Sequence, residues 1–171
     1  ALPAGQYYLV ASGEWQNRAP SNDRIDAEHT TLDLWANSMD GLTGYGLDFG
    51  DLLVNNTALD WGAYDVAHTY SQMVSHPGGL LNLSVFDGDY TTMIKNPGWY
   101  GDNVGSLSVD VYEVIQTTTT DAAGQYTLNI PAGTGEVVIF EVQQPGWEQI
   151  VPTTFCTAQP GTTSTCNFGN A

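Results

Sequence analysis

Residues 106–114 read SLSVDVYEV. Leu107, Val109 and Val111 alternate with Ser106, Ser108 and Asp110, the period-two pattern of a strand with one face on a core and the other in water. Upstream, LLNLSVFD (80–87) is a second apolar run, and a long bend, GDYTTMIKNPGWYGDNVG (88–105), joins the two. Working outward, short runs rich in β-branched and aromatic residues recur: QYYLVAS (6–12), DLLVNN (51–56), AHTYSQMVS (67–75), GQYTLNI (124–130), EVVIFEVQQ (136–144), EQIVPTTF (148–155) and STCNFG (164–169). Gly, Pro, Asn or Asp bounds each. Only LDLWANSM (32–39) has the spacing of a helical turn. The pattern predicts an all-β protein built of sandwiches or jelly rolls.

The chain has 171 residues and a formal net charge of −16, with Arg18, Arg24 and Lys95 as its basic side chains. So acidic a surface repels nucleic-acid phosphates and anionic lipids, which makes both poor partners; metal cations and uncharged polymers suit it better. No stretch has the roughly 20 apolar residues needed to span a bilayer as a helix. The chain opens on ALPAGQYYLV, as a mature secreted form would after loss of a leader. Cys156 and Cys166 bracket TAQPGTTST, which reads as a turn between two arms of a hairpin stapled by a disulfide, and so points to an oxidising compartment.

Composition changes near IQTTTTDAAG (115–124), where Asp- and Asn-rich loops give way to Thr-, Gln- and Pro-rich ones. A boundary there divides the chain into residues 1–114 and 115–171. The second segment holds about five strands where a two-sheet sandwich has about seven. It would have to share a strand, rely on the staple, or borrow a strand from another molecule.

The bend carries Asp87, Asp89, Asp102 and Asn103. Either these groups are solvated, or a cation offsets their mutual repulsion. Calcium takes six to eight oxygens from carboxylates, amides, carbonyls and water, and the bend supplies those types. His29, His68 and His76 are scattered in sequence, with no Cys/His cluster suited to zinc.

LSVFD followed by WYGDNVGSLSVDV resembles the last strands and calcium loop of the PA-I type calcium-dependent galactose-binding lectins. YLVASGEWQN (8–17) is similar to that family's first strand, and DWGAYDVAHTY (60–70) is of the same kind. The resemblance implies a jelly-roll-like sandwich and a Ca2+ site. Its ligands would be Asp87, Asp102, Asn103, a loop carbonyl at Trp99, and a position just after the first strand at Asn17. Two departures stand out: GDYTTMIKNP (88–97) lengthens the loop, and the family's sugar-gripping His-Pro-x-Gln is missing from its place. The HP at His76-Pro77 reads as a turn instead. Calcium therefore transfers more readily than sugar.

TTTTDAAGQYTLNIPAGTGEVVIFEVQQPGWEQIVP (117–152), with a terminal NFGN (167–170), is similar to B-type domains of bacterial serine-aspartate-repeat surface proteins. That resemblance implies an immunoglobulin- or transthyretin-like module acting as a stalk, with no catalytic chemistry. No nucleophile elbow, zinc-hydrolase motif or phosphate loop occurs in the chain. Trp15, Trp61 and Trp99 could stack on sugar rings or simply anchor a core. The combined expectation is a non-catalytic, secreted subunit of a bacterial surface fibre, stabilised by Ca2+ and self-associating. The alternative is a calcium-dependent carbohydrate-binding adhesin.

Overall fold

A computed structural model describes residues 1–17, 24–31, 36–37, 50–89, 94–142, 149–151 and 156–170. Among the described residues the chain is all-β, with antiparallel pairings and almost no helix. Two compact units divide it, Ala1–Ile115 and Gln116–Ala171. Among the described residues no helix is long and apolar enough to cross a membrane.

In the first unit, β1 (Leu2–Gln16), β2 (His29–Thr30), β3 (Ala36–Asn37), β4 (Leu52–Val54), β5 (Thr57–Ala58), β6 (Thr69–Gly79), β7 (Leu83–Val85), β8 (Gly88–Asp89), β9 (Ile94–Lys95) and β10 (Val104–Glu113) follow in order. One sheet has the order β10-β1-β6 and another β5-β4-β7. Tyr7, Leu9 and Ala11 of β1 and Tyr70 of β6 pack with Leu52 and Val54 of β4 and with Trp61, while Leu107 and Val109 of β10 flank them. The core is thus filled from the inward faces of two sheets, as alternation dictates. Of the alternating residues that predicted β10, Leu107 and Val109 meet this core, whereas Val111 is exposed.

β1 bonds β6 over Leu2–Ser12 and β10 over Tyr7–Gln16. Beyond Ser12 β1 parts from β6: Gly13 takes φ 101°, and its N–H donates to the His68 carbonyl at 3.2 Å. Trp15 then exchanges both backbone hydrogen bonds with Ile25. β4 and β5 form a hairpin through Asn55 and Asn56, at φ 51° and 63°. Asn tolerates the left-handed region, and a two-residue turn of this hand matches strand twist.

Three expectations are corrected here. Ala36–Asn37, inside the stretch read as a helical turn, pair with His29–Thr30 as strands; residues 32–35 and 38–39 of that stretch lie outside the described residues. His76 and Pro77 sit within β6, opposite Gly5 and Ala4, rather than in a turn. β6 is an edge strand, where a missing proline N–H costs no ladder bond. Finally, GQYTLNI carries no strand pairing among the described residues, although Tyr126, Leu128 and Ile130 are half-buried and Gln125, Thr127 and Asn129 exposed.

Gly105 fixes how closely β10 approaches β1. Its φ is +88°, and a Cβ there would meet the Glu14 carbonyl oxygen at 2.8 Å and the Trp15 Cα at 3.2 Å. Backbone cannot yield as a side chain can, so Gly105→Ala combines left-handed strain with overpacking. A loss of about 2–4 kcal/mol is expected, read as a lower urea midpoint at unchanged slope.

In the second unit, β11 (Val137–Ile139) pairs with β13 (Cys156–Ala158), and β12 (Gln149–Val151) with β14 (Gly169–Asn170). Cys156 and Cys166 form the disulfide. The two arms around it do not pair with each other; Cys156 instead pairs with Ile139 of β11. Asp121 organises the DAAG turn: its Oδ1 accepts from the N–H groups of Ala123 and Gln125 at 2.8 and 2.9 Å. Tyr126 donates its hydroxyl to the Cys166 carbonyl at 2.9 Å and lies against Phe168. Among the described residues its strands are two or three residues long, which gives weight to the cross-link. Closing a loop of that size is worth about 3 kcal/mol in chain entropy. Cys156→Ser with Cys166→Ser should therefore lower the melting temperature of an isolated 116–171 fragment, or abolish its transition, by calorimetry.

Candidate metal centre

The ladder between β1 and β10 ends at Gln16 opposite Val104. Asn17 immediately follows that last pair and Asn103 immediately precedes it, so the register delivers both amides to one end of the sheet. The third approach comes from the other sheet. Beyond β7, Phe86 exchanges backbone hydrogen bonds with Gly50 and Asp51. Asp87 comes next and is buried.

Asp87 is held on its backbone from both sides. Its N–H donates to the Tyr100 hydroxyl oxygen at 3.3 Å, and Tyr100 in turn donates to the Val85 carbonyl at 3.0 Å. Its carbonyl accepts the Asn96 N–H at 3.1 Å. The long insertion therefore closes on itself: β8 and β9 pair as a hairpin between Asp87 and Asn96, and Lys95 ties it to Asn56 and Ser84 at 3.1 and 2.8 Å. Asp87 is not carried away by the added residues. From Asn96 the chain enters a 3-10 turn, Trp99–Gly101, and the Trp99 carbonyl accepts the Asp102 N–H at 3.4 Å.

Burial pushes the Asp87 carboxyl above its ordinary range; the hydrogen bond from Asn103 pulls it back, and the Asp102 charge raises it again. Asp87 Oδ2, Asn103 Oδ1 and Asn17 Oδ1 are each buried without a hydrogen-bond partner. An unmatched buried acceptor costs about 1–3 kcal/mol, and three of them from the residues around one strand end are unusual. A hard cation would satisfy all three and offset the Asp87–Asp102 repulsion. The donor set fits calcium, being all oxygen: two amides, two carboxylates and the Trp99 carbonyl, with water for the rest. Among the described residues, no three His, Cys, Asp or Glu side chains are grouped to hold a metal. An ion here would thus rely on amide and carbonyl oxygens as much as on charge. At Asn17 the unmatched atom is the side-chain oxygen.

Sequence reasoning missed a second buried polar group. Asp26 is fully buried; its Oδ1 accepts the Glu28 and His29 N–H groups at 2.9 and 2.7 Å, and its Oδ2 accepts the Tyr70 hydroxyl at 2.7 Å. His68 Nδ1 lies 2.9 Å from the same Oδ2. Burial and the Asp26 bond push the Tyr70 hydroxyl far up. His29 stacks on Tyr70, and Tyr64 meets both His29 and His68 edge-on. Two of the three histidines that look scattered in sequence, His29 and His68, converge here, while His76 lies edge-on to Tyr7. The close spacing in DAEHT (26–30), with an Asp placed to cap the amides two and three residues on, was the available signal. Four contacts occupy both Asp26 oxygens, so this group latches the 24–31 segment and the His68 loop to β6 rather than offering ligands.

No family model matches the chain, and neither do the curated proteins or the solved structures.

Proposed function

We propose that this chain is a non-catalytic structural subunit of a bacterial surface fibre or appendage, exported from the cell, with a calcium ion stiffening its first unit. The observation that carries the reading is the set of unmatched buried oxygens on Asn17, Asp87 and Asn103, the two amides flanking one end of the β1–β10 ladder and Asp87 bonded to Asn103. An ion linking β1, the β7 end and β10 would cross-brace two sheets, a mechanical role that needs no cleft. The disulfide is compatible with an oxidising, extracellular setting. The Asp26–His68 pair has the composition of a general-base dyad, yet it is spent on holding a loop. In the second unit, Gln125–Ile130 has the alternation of a strand and no strand partner among the described residues. A strand from a neighbouring copy would complete it, joining subunits end to end.

One observation favours the calcium-dependent carbohydrate-binding reading. Trp99 is 45% exposed on the turn beside Asp102, so its ring could stack on a sugar held at the ion. Negative-stain microscopy and light scattering of the purified chain in calcium separate the two. Filaments are expected from the structural subunit. A monodisperse monomer retained on a galactose resin only in calcium would replace it with the lectin.

A further inference from the structure

Two Asn-x-Ser/Thr triplets occur in the chain, Asn55-Asn56-Thr57 and Asn82-Leu83-Ser84, and the fold brings them together. The Asn55 N–H donates to the Asn82 carbonyl at 2.8 Å, and the Asn82 N–H donates to Asn55 Oδ1 at 3.0 Å. The two side chains then differ sharply. The Asn55 amide is clamped at both ends, since its Oδ1 takes the Asn82 N–H while its Nδ2 sits 3.5 Å from Nδ1 of buried His76. Its backbone is also fixed in the left-handed region by the β4–β5 turn. Asn82 is exposed, and its side-chain amide has no hydrogen-bond partner among the described residues. It precedes β7 instead of lying within it, and Leu80, two residues earlier, is 81% exposed.

We infer that Asn82 is an acceptor for an N-linked oligosaccharide, and that Asn55 is not. The triplet is what an oligosaccharyl transferase reads in an exported chain, so the inference rests on export, though not on calcium or fibre formation. In the transfer, Asn82 Nδ2 attacks the anomeric carbon of a polyprenyl-phosphate-linked oligosaccharide. The N–C bond forms as the bond from that carbon to the phosphate oxygen breaks. The lipid phosphate leaves with the electron pair, and the amide proton passes to the transferase. The same reaction at Asn55 would require its amide to leave both clamping partners. A glycan at Asn82 extends from the end of the β5-β4-β7 sheet and shields the bare Leu80 side chain, reducing an apolar liability on the surface.

The full chain, secreted from yeast behind a signal sequence, tests this by intact mass and by peptide mapping after amidase release, which leaves an aspartate at the carrying position. One oligosaccharide is expected, mapped to position 82, retained in Thr57→Ala and absent from Asn82→Gln. Thr57→Ala removes the competing triplet while leaving Asn55 and its clamp in place, and the wild-type peptide map decides even if Asn82→Gln is poorly secreted. An unmodified chain, two oligosaccharides, or one mapped to position 55 would overturn the assignment. None of these outcomes bears on the calcium response, so the two proposals fail separately.

Discussion

Asp26→Ala is expected to destabilise the first unit by about 3–5 kcal/mol, enough to unfold much of the protein, given that domains of this size hold only about 5–15 kcal/mol in all. The substitution removes the acceptor shared by the amides of Glu28 and His29, the Tyr70 hydroxyl and the His68 ring, at a position that is itself fully buried. Bonds to a charged acceptor contribute about 1.5–3 kcal/mol each, and here they are lost together. Asp26→Asn is the informative companion. Its remaining oxygen can still cap both amides, and its NH2 can donate to the Tyr70 oxygen, so about half of the loss should return. Urea unfolding followed by tryptophan fluorescence reads both variants. If Asp26→Ala cost under 1 kcal/mol, the latch would not be holding the 24–31 segment.

Asp87→Asn should produce two effects of opposite sign. In chelator the variant is expected to be at least as stable as the wild type, because a carboxylate disfavoured by burial and by Asp102 is replaced by a neutral isostere. In calcium the order reverses. An ion held at 100 times its dissociation constant adds about 2.7 kcal/mol to the wild type. For a unit of this size that amounts to roughly 10 °C in melting temperature. The variant should show little of this shift. Asp102→Ala should likewise lose most of it, since both the charge and the turn preceding Asn103 are involved. A variant destabilised equally with and without calcium would make Asp87 a structural acid and nothing more.

Two of the long strands were legible from their apolar runs, which alternate over the middle of β10 and are buried without a break over Tyr7–Ala11 of β1. In β10, Leu107 and Val109 alternate with serines and meet the core, and β6 shows itself through Tyr70, Met73 and Val74 spaced among polar residues. Short elements were not, since β2 and β3 are two residues each and exist only through pairing. A Pro-Gly-Gly sequence suggested a turn at residues 77–79. Gly78 and Gly79 do take φ 96° and 106°, yet the chain continues along β1 to the Leu2–Gly79 pair. The staple was readable from two cysteines; that Cys156 would pair with β11 was not, because nothing local encodes a long-range partner. The acids divide in the same way. Asp87, Asp102 and Asn103 could be singled out from the crowded loop and its resemblance. Asp26 could not, because in a chain of net charge −16 a carboxylate bound for the interior looks like any surface acid until its donors are seen.

Calorimetric titration of calcium into chelator-stripped protein tests the account most directly. One ion per chain is predicted, with submillimolar affinity retained in 150 mM salt as expected for a site built from buried oxygens rather than from surface charge. No heat, or several weak ions that salt displaces as from any acidic surface, would contradict it.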